Sequence, residues 1–180
     1  MIHGRCAFII SQVLHVHRVS TNFMTTVRQA TIEDSEQISV NWIRGMEFHS
    51  DFNLIFQTAP DFKEKILTDI KELFSKTFVT FFVIELDGKI VGHCLTTINQ
   101  RPKVFEKTTR GYIGETYIDE MLQGQGLGTQ LISAVKKWFK DQNVDYVDLQ
   151  VAIKNERGEK FWKSMGFKTV NYFMVNDLNT

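Results

Sequence analysis

The run Tyr117-Ile118-Asp119-Glu120-Met121-Leu122-Gln123-Gly124-Gln125-Gly126-Leu127-Gly128-Thr129 constrains this chain most. A β-prone stretch ends, three alternate glycines follow, and Leu127, Leu131, Val135 and Trp138 or Phe139 then mark one face of an amphipathic helix. A strand passing through glycines straight into a helix is the joint of a sheet covered by helices. Glycine lets successive backbone N–H groups converge and approach a ligand closely. The helix start adds unsatisfied N–H groups and a partial positive charge. Such a turn suits an anion, above all a phosphate or pyrophosphate.

Three other readings of the turn are available. A P-loop ends in Gly-Lys-Ser/Thr, and there is no lysine here. A dinucleotide fingerprint needs Gly-x-Gly-x-x-Gly; Gly124-x-Gly126 fits, but Thr129 holds the third position and Gly128 comes one residue early. Asp145 lies about twenty residues on, as that fingerprint expects, yet the turn follows an internal strand instead of opening a unit. A tight turn with no ligand is the third reading, and three alternating glycines are costly for that alone.

The flanking sequence completes a mixed architecture. Val27-Arg28-Gln29-Ala30 reads as a short strand, and Thr31 to Asp34 has capping-box spacing before a helix carrying Ile38, Trp42 and Met46. Thr58-Ala59-Pro60-Asp61 opens a second helix with Phe62, Ile66, Ile70 and Leu73 on its buried stripe. Asp87-Gly88, between Phe78–Leu86 and Lys89–Ile98, predicts a hairpin. Tyr112 to Asp119 and Val144 to Ile153 read as strands, Asn155 opens a short helix closed by Gly166, and Phe167 to Leu178 reads as a last strand. The predicted order is β-α-α-β-β-β-α-β-α-β.

The chain's 180 residues, 43% of them hydrophobic, suffice for one domain with a real core and exclude disorder. Its 21 basic and 21 acidic residues leave no surplus for general nucleic-acid binding. No apolar run reaches the length of a bilayer span. Cys6 and Cys94 make neither a disulfide framework nor a zinc site, so the expectation is a cytoplasmic setting and no metal. Residues 1–23 read as an extension or mis-assigned start outside the fold, with residues 24–180 as the single domain. Arg5 and Cys6 to Ile10 hint at a secretory signal, but Ser11 and Gln12 interrupt the apolar run and no cleavage site follows.

Two motifs carry a family resemblance. Gln123-x-x-Gly126-x-Gly128 resembles the pyrophosphate signature of the GNAT-type N-acetyltransferases, and Asn155-x-x-Gly158-x-x-Phe161-Trp162-x-x-x-Gly166-Phe167 resembles their downstream pattern. The opening Val27-Arg28-x-Ala30-Thr31-x-x-Asp34 is similar too. The resemblance implies an α/β, mixed α+β fold of the acyl-coenzyme A N-acyltransferase type. In it a mostly antiparallel sheet has splayed, parallel fourth and fifth strands, with helices on both faces. It further implies acetyl-coenzyme A as co-substrate and an amine of a small molecule or protein as acceptor, attacked directly in a ternary complex. No nucleic-acid or membrane partner is implied, and a homodimer is left open.

The same resemblance implies site residues. The pantetheine arm would meet backbone groups of Tyr117, Ile118 and Asp119. The pyrophosphate would rest on Gln123, Gly124, Gln125, Gly126, Leu127, Gly128 and Thr129, with Asn155 near the pantetheine or simply capping its helix. The Ile118 N–H would polarise the thioester carbonyl. Glu115 is the candidate general base, or else a solvent-facing residue, since alternation does not decide its face. Trp162 stands where many members carry a tyrosine proposed to protonate the departing thiolate. An indole is no acid, so Trp162 is expected beside the thioester or in the core; water or another group such as Tyr172 supplies the proton, or no acid is needed. Glu47, His49 and Asp51, after the first helix, are candidates for holding a cationic acceptor. His93, on a strand, reads as a satisfied, partly buried histidine. A non-catalytic acyl-coenzyme A-binding module, as in a sensor or regulatory subunit, is the competing expectation.

Overall fold

Asp87 and Gly88 take φ values of 50° and 78°, the paired positive angles of a two-residue hairpin turn. In the computed structural model this hairpin joins the two strands at the heart of the sheet. Residues 24–50, 55 and 57–178 are described; residues 1–23 and Asp51 lie outside them. The elements are β1 (Thr25–Gln29), α1 (Ser35–His49), α2 (Phe62–Phe74), β2 (Val79–Leu86), β3 (Lys89–Gln100), β4 (Thr109–Ile118), α3 (Leu127–Asp141), β5 (Tyr146–Leu149) and α4 (Glu156–Ser164). Strands lie in the order β1-β2-β3-β4-β5, all neighbours antiparallel except the parallel β4–β5 pair. Among the described residues no helix is long and apolar enough to cross a membrane.

The sheet has a core on each face. Leu127, Leu131, Ile132, Val135 and Phe139 of α3 pack with Phe82, Ile84, Cys94 and Ile113, and α4 adds Phe161 and Trp162 at the margin. Ile38 of α1 and Ile66 and Ile70 of α2 pack with Phe81 and Val83 on the other face. The alternation of Phe81 and Val83 with Phe82 and Ile84 along β2 explains why that strand reads as continuously apolar: both faces are covered. At the start of α1, Asp34 Oδ2 accepts the Thr31 N–H at 2.8 Å and also pairs with Arg28, as the spacing predicted.

One irregularity in β4 organises everything near the glycine turn. Cys94 pairs with Thr116 and Thr96 with Ile113, so Gly114 and Glu115 together oppose Leu95. This is a β-bulge, and the extra residue reverses which face the strand presents. Ile113 packs under α3, whereas Glu115 and Tyr117 lie against Gly45 of α1. Strict alternation would have put all three on one face.

The pairing of β4 with β5 ends at the same point. Its register runs from Arg110↔Tyr146 to Ile113↔Leu149, while β4 stays on β3 as far as Ile118↔Gly92. The paired half is pinned by the two-pronged Arg110–Asp148 ion pair and by Asp145 Oδ2, which accepts the N–H groups of Thr108 and Thr109 at 2.8 Å each. Beyond Ile113 the outer edge of β4 has no strand beside it among the described residues. This accounts for β5 being shorter than the expected Val144 to Ile153.

The expected last strand from Phe167 to Leu178 is not one. These residues form no strand, and Val170, Tyr172, Met174 and Leu178 are exposed. Apolar, β-branched sequence suits a pleated surface, but only an adjacent edge in register makes a strand of it. That segment pairs with none, and β5 is the last strand of the sheet.

Gly92 marks where β3 passes under the end of β4. A Cβ there would stand 2.6 Å from the Tyr117 carbonyl oxygen and 2.5 Å from Ile118 Cδ1. Gly92→Ala is therefore expected to cost about 1–3 kcal/mol through overpacking. Denaturant unfolding checks this, and an unchanged midpoint contradicts the packing described.

Candidate functional site

The loop between β4 and α3 is built by two conformational demands. Gly124 and Gly126 have φ of 82° and 85°, and a Cβ at either would meet nothing within 4 Å. Backbone angle, not crowding, requires glycine there. Gly126 caps α3, no side chain caps that end, and the first bond into the helix is Gln130 N–H to the Gly126 carbonyl at 3.0 Å. The N–H groups of Leu127, Gly128 and Thr129 are thus the orphans of the helix start, with the exposed Thr129 hydroxyl beside them. Gly128 lies beside Phe161, and a Cβ there would make ordinary contact at 3.4 Å.

Gln123 faces the strand. Its own N–H donates to the Glu120 carbonyl at 3.3 Å, and its Nε2 donates to the Ile118 carbonyl at 2.8 Å. The Asp119 N–H donates to the Val91 carbonyl at 2.8 Å, and Asp119 Oδ1 accepts from Met121 N–H at 3.0 Å. In an antiparallel ladder consecutive residues point their backbone groups to opposite sides. Tyr117 and Asp119 therefore address β3, and Thr116 and Ile118 address the edge that β5 has left. Tyr117 and Asp119, expected among the backbone contacts of that edge, face the wrong way for it. Thr116 was not foreseen, because the bulge shifts the phase.

Glu115 is partly exposed as a residue, but its Oε1 is buried with no hydrogen-bond partner among the described residues. Burial pushes its carboxyl up to about 7. Room for it comes from Gly45 in mid-helix: a Cβ there would lie 2.8 Å from Oε1. His93 is wholly buried between Trp42 and Tyr117, with ring centroids 5.8 and 6.1 Å away, and burial pushes it down to about 3. It is not the satisfied histidine expected, since neither ring nitrogen has a partner among the described residues. Cys94 is a buried free thiol, pushed up to about 12 by burial and so inert as a nucleophile.

A cleft of about 520 Å³ is lined by Arg44, Glu47, Phe48, Tyr117, Asp119, Glu120 and Met121. Arg44 pairs with Asp119 at 3.3 Å, and Glu47 pairs with Lys63. Of the acceptor candidates Glu47 lines this cleft. His49 packs edge-on to Phe48 at 5.3 Å, and partial burial lowers its pKa. Asp51 is outside the described residues. Arg44, the Tyr117 phenol, Asn41 and Gly45 went unread in the sequence. The available signal was a glycine one turn after an asparagine on the buried stripe of α1.

The downstream motif is a helix start and a small aromatic cluster. Asn155 Oδ1 accepts the Gly158 N–H at 2.8 Å, and a Cβ on Gly158 would come within 2.7 Å of the same amide, so glycine makes room for the cap. Trp162 packs edge-on to Phe161 and Phe167 at 5.0 and 5.4 Å. Tyr172 is 85% exposed on the segment after α4, away from any enclosing wall. Asp145 sits at the opposite end of β4 from the glycine turn, bound to Thr108 and Thr109, which removes the dinucleotide reading.

Comparison with known proteins gives a consistent result. The family model described as the acetyltransferase (GNAT) family matches residues 45–167. The chain is 33% identical over 88 residues to an uncharacterized N-acetyltransferase of Methanocaldococcus jannaschii, covering 49% of this chain and 38% of that one. It is 31% identical over 98 residues to an N-alpha-acetyltransferase of Sulfurisphaera tokodaii, covering 50% of this chain and 57% of the relative. The chain thus spans about half the length of these curated relatives. Among solved structures, the aminoglycoside N-acetyltransferase AAC(6')-Iy in complex with CoA has a TM-score of 0.72 at 15% identity, covering 90% of this chain and 99% of that one. A predicted acetyltransferase of Clostridium acetobutylicum with acetyl-CoA gives 0.71 at 15% identity, covering 87% and 97%. At those identities the likeness is one of fold, and it bears out the expected mixed sheet with splayed fourth and fifth strands.

Burial of Glu115 has a consequence for stability. Native Glu115 keeps its proton up to about pH 7, whereas its ordinary value is 4.5, so the folded chain binds more protons in that window. Stability from this group is therefore lost as pH rises from 4.5 through 7. Glu115→Gln is expected to remove that loss and to gain on the wild type between pH 4.5 and 8. Denaturant midpoints across pH check it, and parallel curves contradict the burial.

Proposed function

The chain belongs to the acetyltransferase (GNAT) family, and on that premise we propose that it moves the acetyl group of acetyl-coenzyme A to a primary amine of a small molecule or protein, by direct attack with both bound. One observation carries the reading. An open strand edge and an uncapped helix start meet at one end of β4, beside a buried carboxylate. The edge suits an amide-bearing chain such as pantetheine, and the helix start suits a diphosphate.

The diphosphate would lie on the N–H groups of Gly124 through Thr129, with Gln123 acting through its side chain on Ile118. Thr116 and Ile118 would bind the pantetheine amides, and Asn155 and Trp162 would border it. When bound, the thioester supplies an activated acyl group. The Ile118 N–H, at the free edge, would donate to the carbonyl oxygen as it gains charge. Glu115, ionised above about pH 7, would take the proton that the amine nitrogen loses on forming the C–N bond, directly or through water. The C–S bond breaks, and a thiolate of pKa about 8.5 leaves without a dedicated acid. Neither Trp162 nor Tyr172 is needed.

The cleft favours a cationic acceptor. Glu47, Asp119 and Glu120 face it, with Arg44 paired to Asp119 and Lys63 paired to Glu47, which leaves an excess of one acidic charge. The relative named an N-alpha-acetyltransferase and the neighbour named an aminoglycoside acetyltransferase make amino termini and aminoglycosides the first acceptors to try. Trp162 in place of a tyrosine favours the non-catalytic alternative, an acyl-coenzyme A-binding module; thiol release with a panel of amines separates the two.

Glu115→Gln is expected to lower kcat by about 10²–10⁴-fold with affinity for acetyl-coenzyme A unchanged, and wild-type kcat/KM should rise with pH through about 7. Steady-state rates across pH check both; a variant as active as wild type removes Glu115 from the chemistry. Gly126→Val, which a φ of 85° strains, is expected to weaken coenzyme A binding at least about tenfold, a loss of about 1.4 kcal/mol. Calorimetry reads it, and unaltered affinity would sink the diphosphate assignment.

A further inference from the structure

Four interior polar atoms have no hydrogen-bond partner among the described residues: Nδ2 of Asn41, Nδ1 and Nε2 of His93, and Oε1 of Glu115. They come from α1, β3 and β4 and share one layer. Asn41 and Gly45 lie a turn apart, both buried, on the helix that packs on β3 and β4. The Cβ position of Gly45 is 2.8 Å from Glu115 Oε1 and 3.4 Å from Tyr117 Cδ2. Tyr117 is the cross-strand partner of His93 and stacks on one face of its ring, while Trp42, next to Asn41, stacks on the other.

Buried polar groups are almost always satisfied, by protein partners or by ordered internal water. An internal water makes about three hydrogen bonds. This cluster offers the amide N–H groups of Asn41, one donor and one acceptor on neutral His93, and the Glu115 carboxyl. Glycine at position 45 lets Oε1 come up against the helix backbone, where a Cβ would stand only 2.8 Å from it, at the expense of helix propensity.

We propose that Asn41 and His93 are positioning residues that, with Oε1 of Glu115, hold an internal water between α1 and the β3–β4 pair, and that this unit fixes the carboxyl as it takes the amine's proton. The proposal rests on Glu115 being the base. Donors reaching the carboxylate through water favour its charged form and oppose the burial that disfavours it. The other groups facing this layer and the cleft are Tyr112 and Tyr117 from β4, Arg44 and Glu47 from α1, and Asp119 and Glu120 from the loop beyond. Burial raises both phenols, Arg44 pairs with Asp119, and Glu47 pairs with Lys63.

The test uses His93→Phe, which keeps a ring between Trp42 and Tyr117, together with Asn41→Leu and His93→Gln. The readouts are the pH profile of kcat/KM, KM for acetyl-coenzyme A, and carboxyl carbon NMR titration of Glu115. In His93→Phe and Asn41→Leu, kcat should fall about tenfold. The Glu115 titration and the kinetic limb should both move up by about one pH unit, with KM for acetyl-coenzyme A unchanged. His93→Gln, which restores a donor, should bring the limb back toward wild type. A titration left in place in His93→Phe and Asn41→Leu overturns the proposal, whatever happens to the rate. Water oxygen-17 relaxation dispersion on the wild-type protein needs no variant: a long-lived internal water supports the site, and its absence overturns it. Loss of the base reading is told apart by Glu115→Gln alone, which would then keep wild-type turnover.

Discussion

A single extra residue in β4, where Gly114 and Glu115 together oppose Leu95, sets the terms for the rest of the molecule. Up to Ile113 the strand is an ordinary interior strand, held to β5 by its ladder and by Asp145 and Arg110–Asp148. After the bulge its twist changes, its outer edge stands free, and its side chains exchange faces. An unpaired strand edge and an inward carboxylate are thus two results of one backbone event.

The two helices that flank this event divide the work between them. On one face α3 begins with uncapped N–H groups and packs at Gly128 beside Phe161 and Ile118. On the other, α1 comes down on Glu115 through the gap at Gly45. An uncapped helix terminus and a desolvated carboxylate therefore lie on opposite sides of one strand end. Acyl transfer in the proposed reading needs this separation: a carrier held on one side, an amine admitted from the other, and the carbonyl between them.

Much of this was legible in the residues, and the gaps have physical reasons. The Asp87-Gly88 hairpin, the Thr31–Asp34 box, the α3 stripe and the glycine turn are local: angle and periodicity decide them, and the structure agrees. The segment from Phe167 to Leu178 has strand-like composition and no strand, because pairing depends on an edge that composition does not reveal. The face of Glu115 was undecidable for the same kind of reason, since a bulge leaves no mark in an alternating pattern beyond a glycine at 114. His93 looked like a satisfied core residue; only its stacking between Trp42 and Tyr117 shows that both nitrogens are stranded.

Amide-resolved NMR of the chain titrated with acetyl-coenzyme A tests the central claim most directly. Perturbations concentrated at Thr116, Ile118 and Gly124 through Thr129, with the β4 residues before the bulge unmoved, are the predicted result. Shifts along the paired half of β4, or no saturable change at all, would contradict an opening made by the bulge.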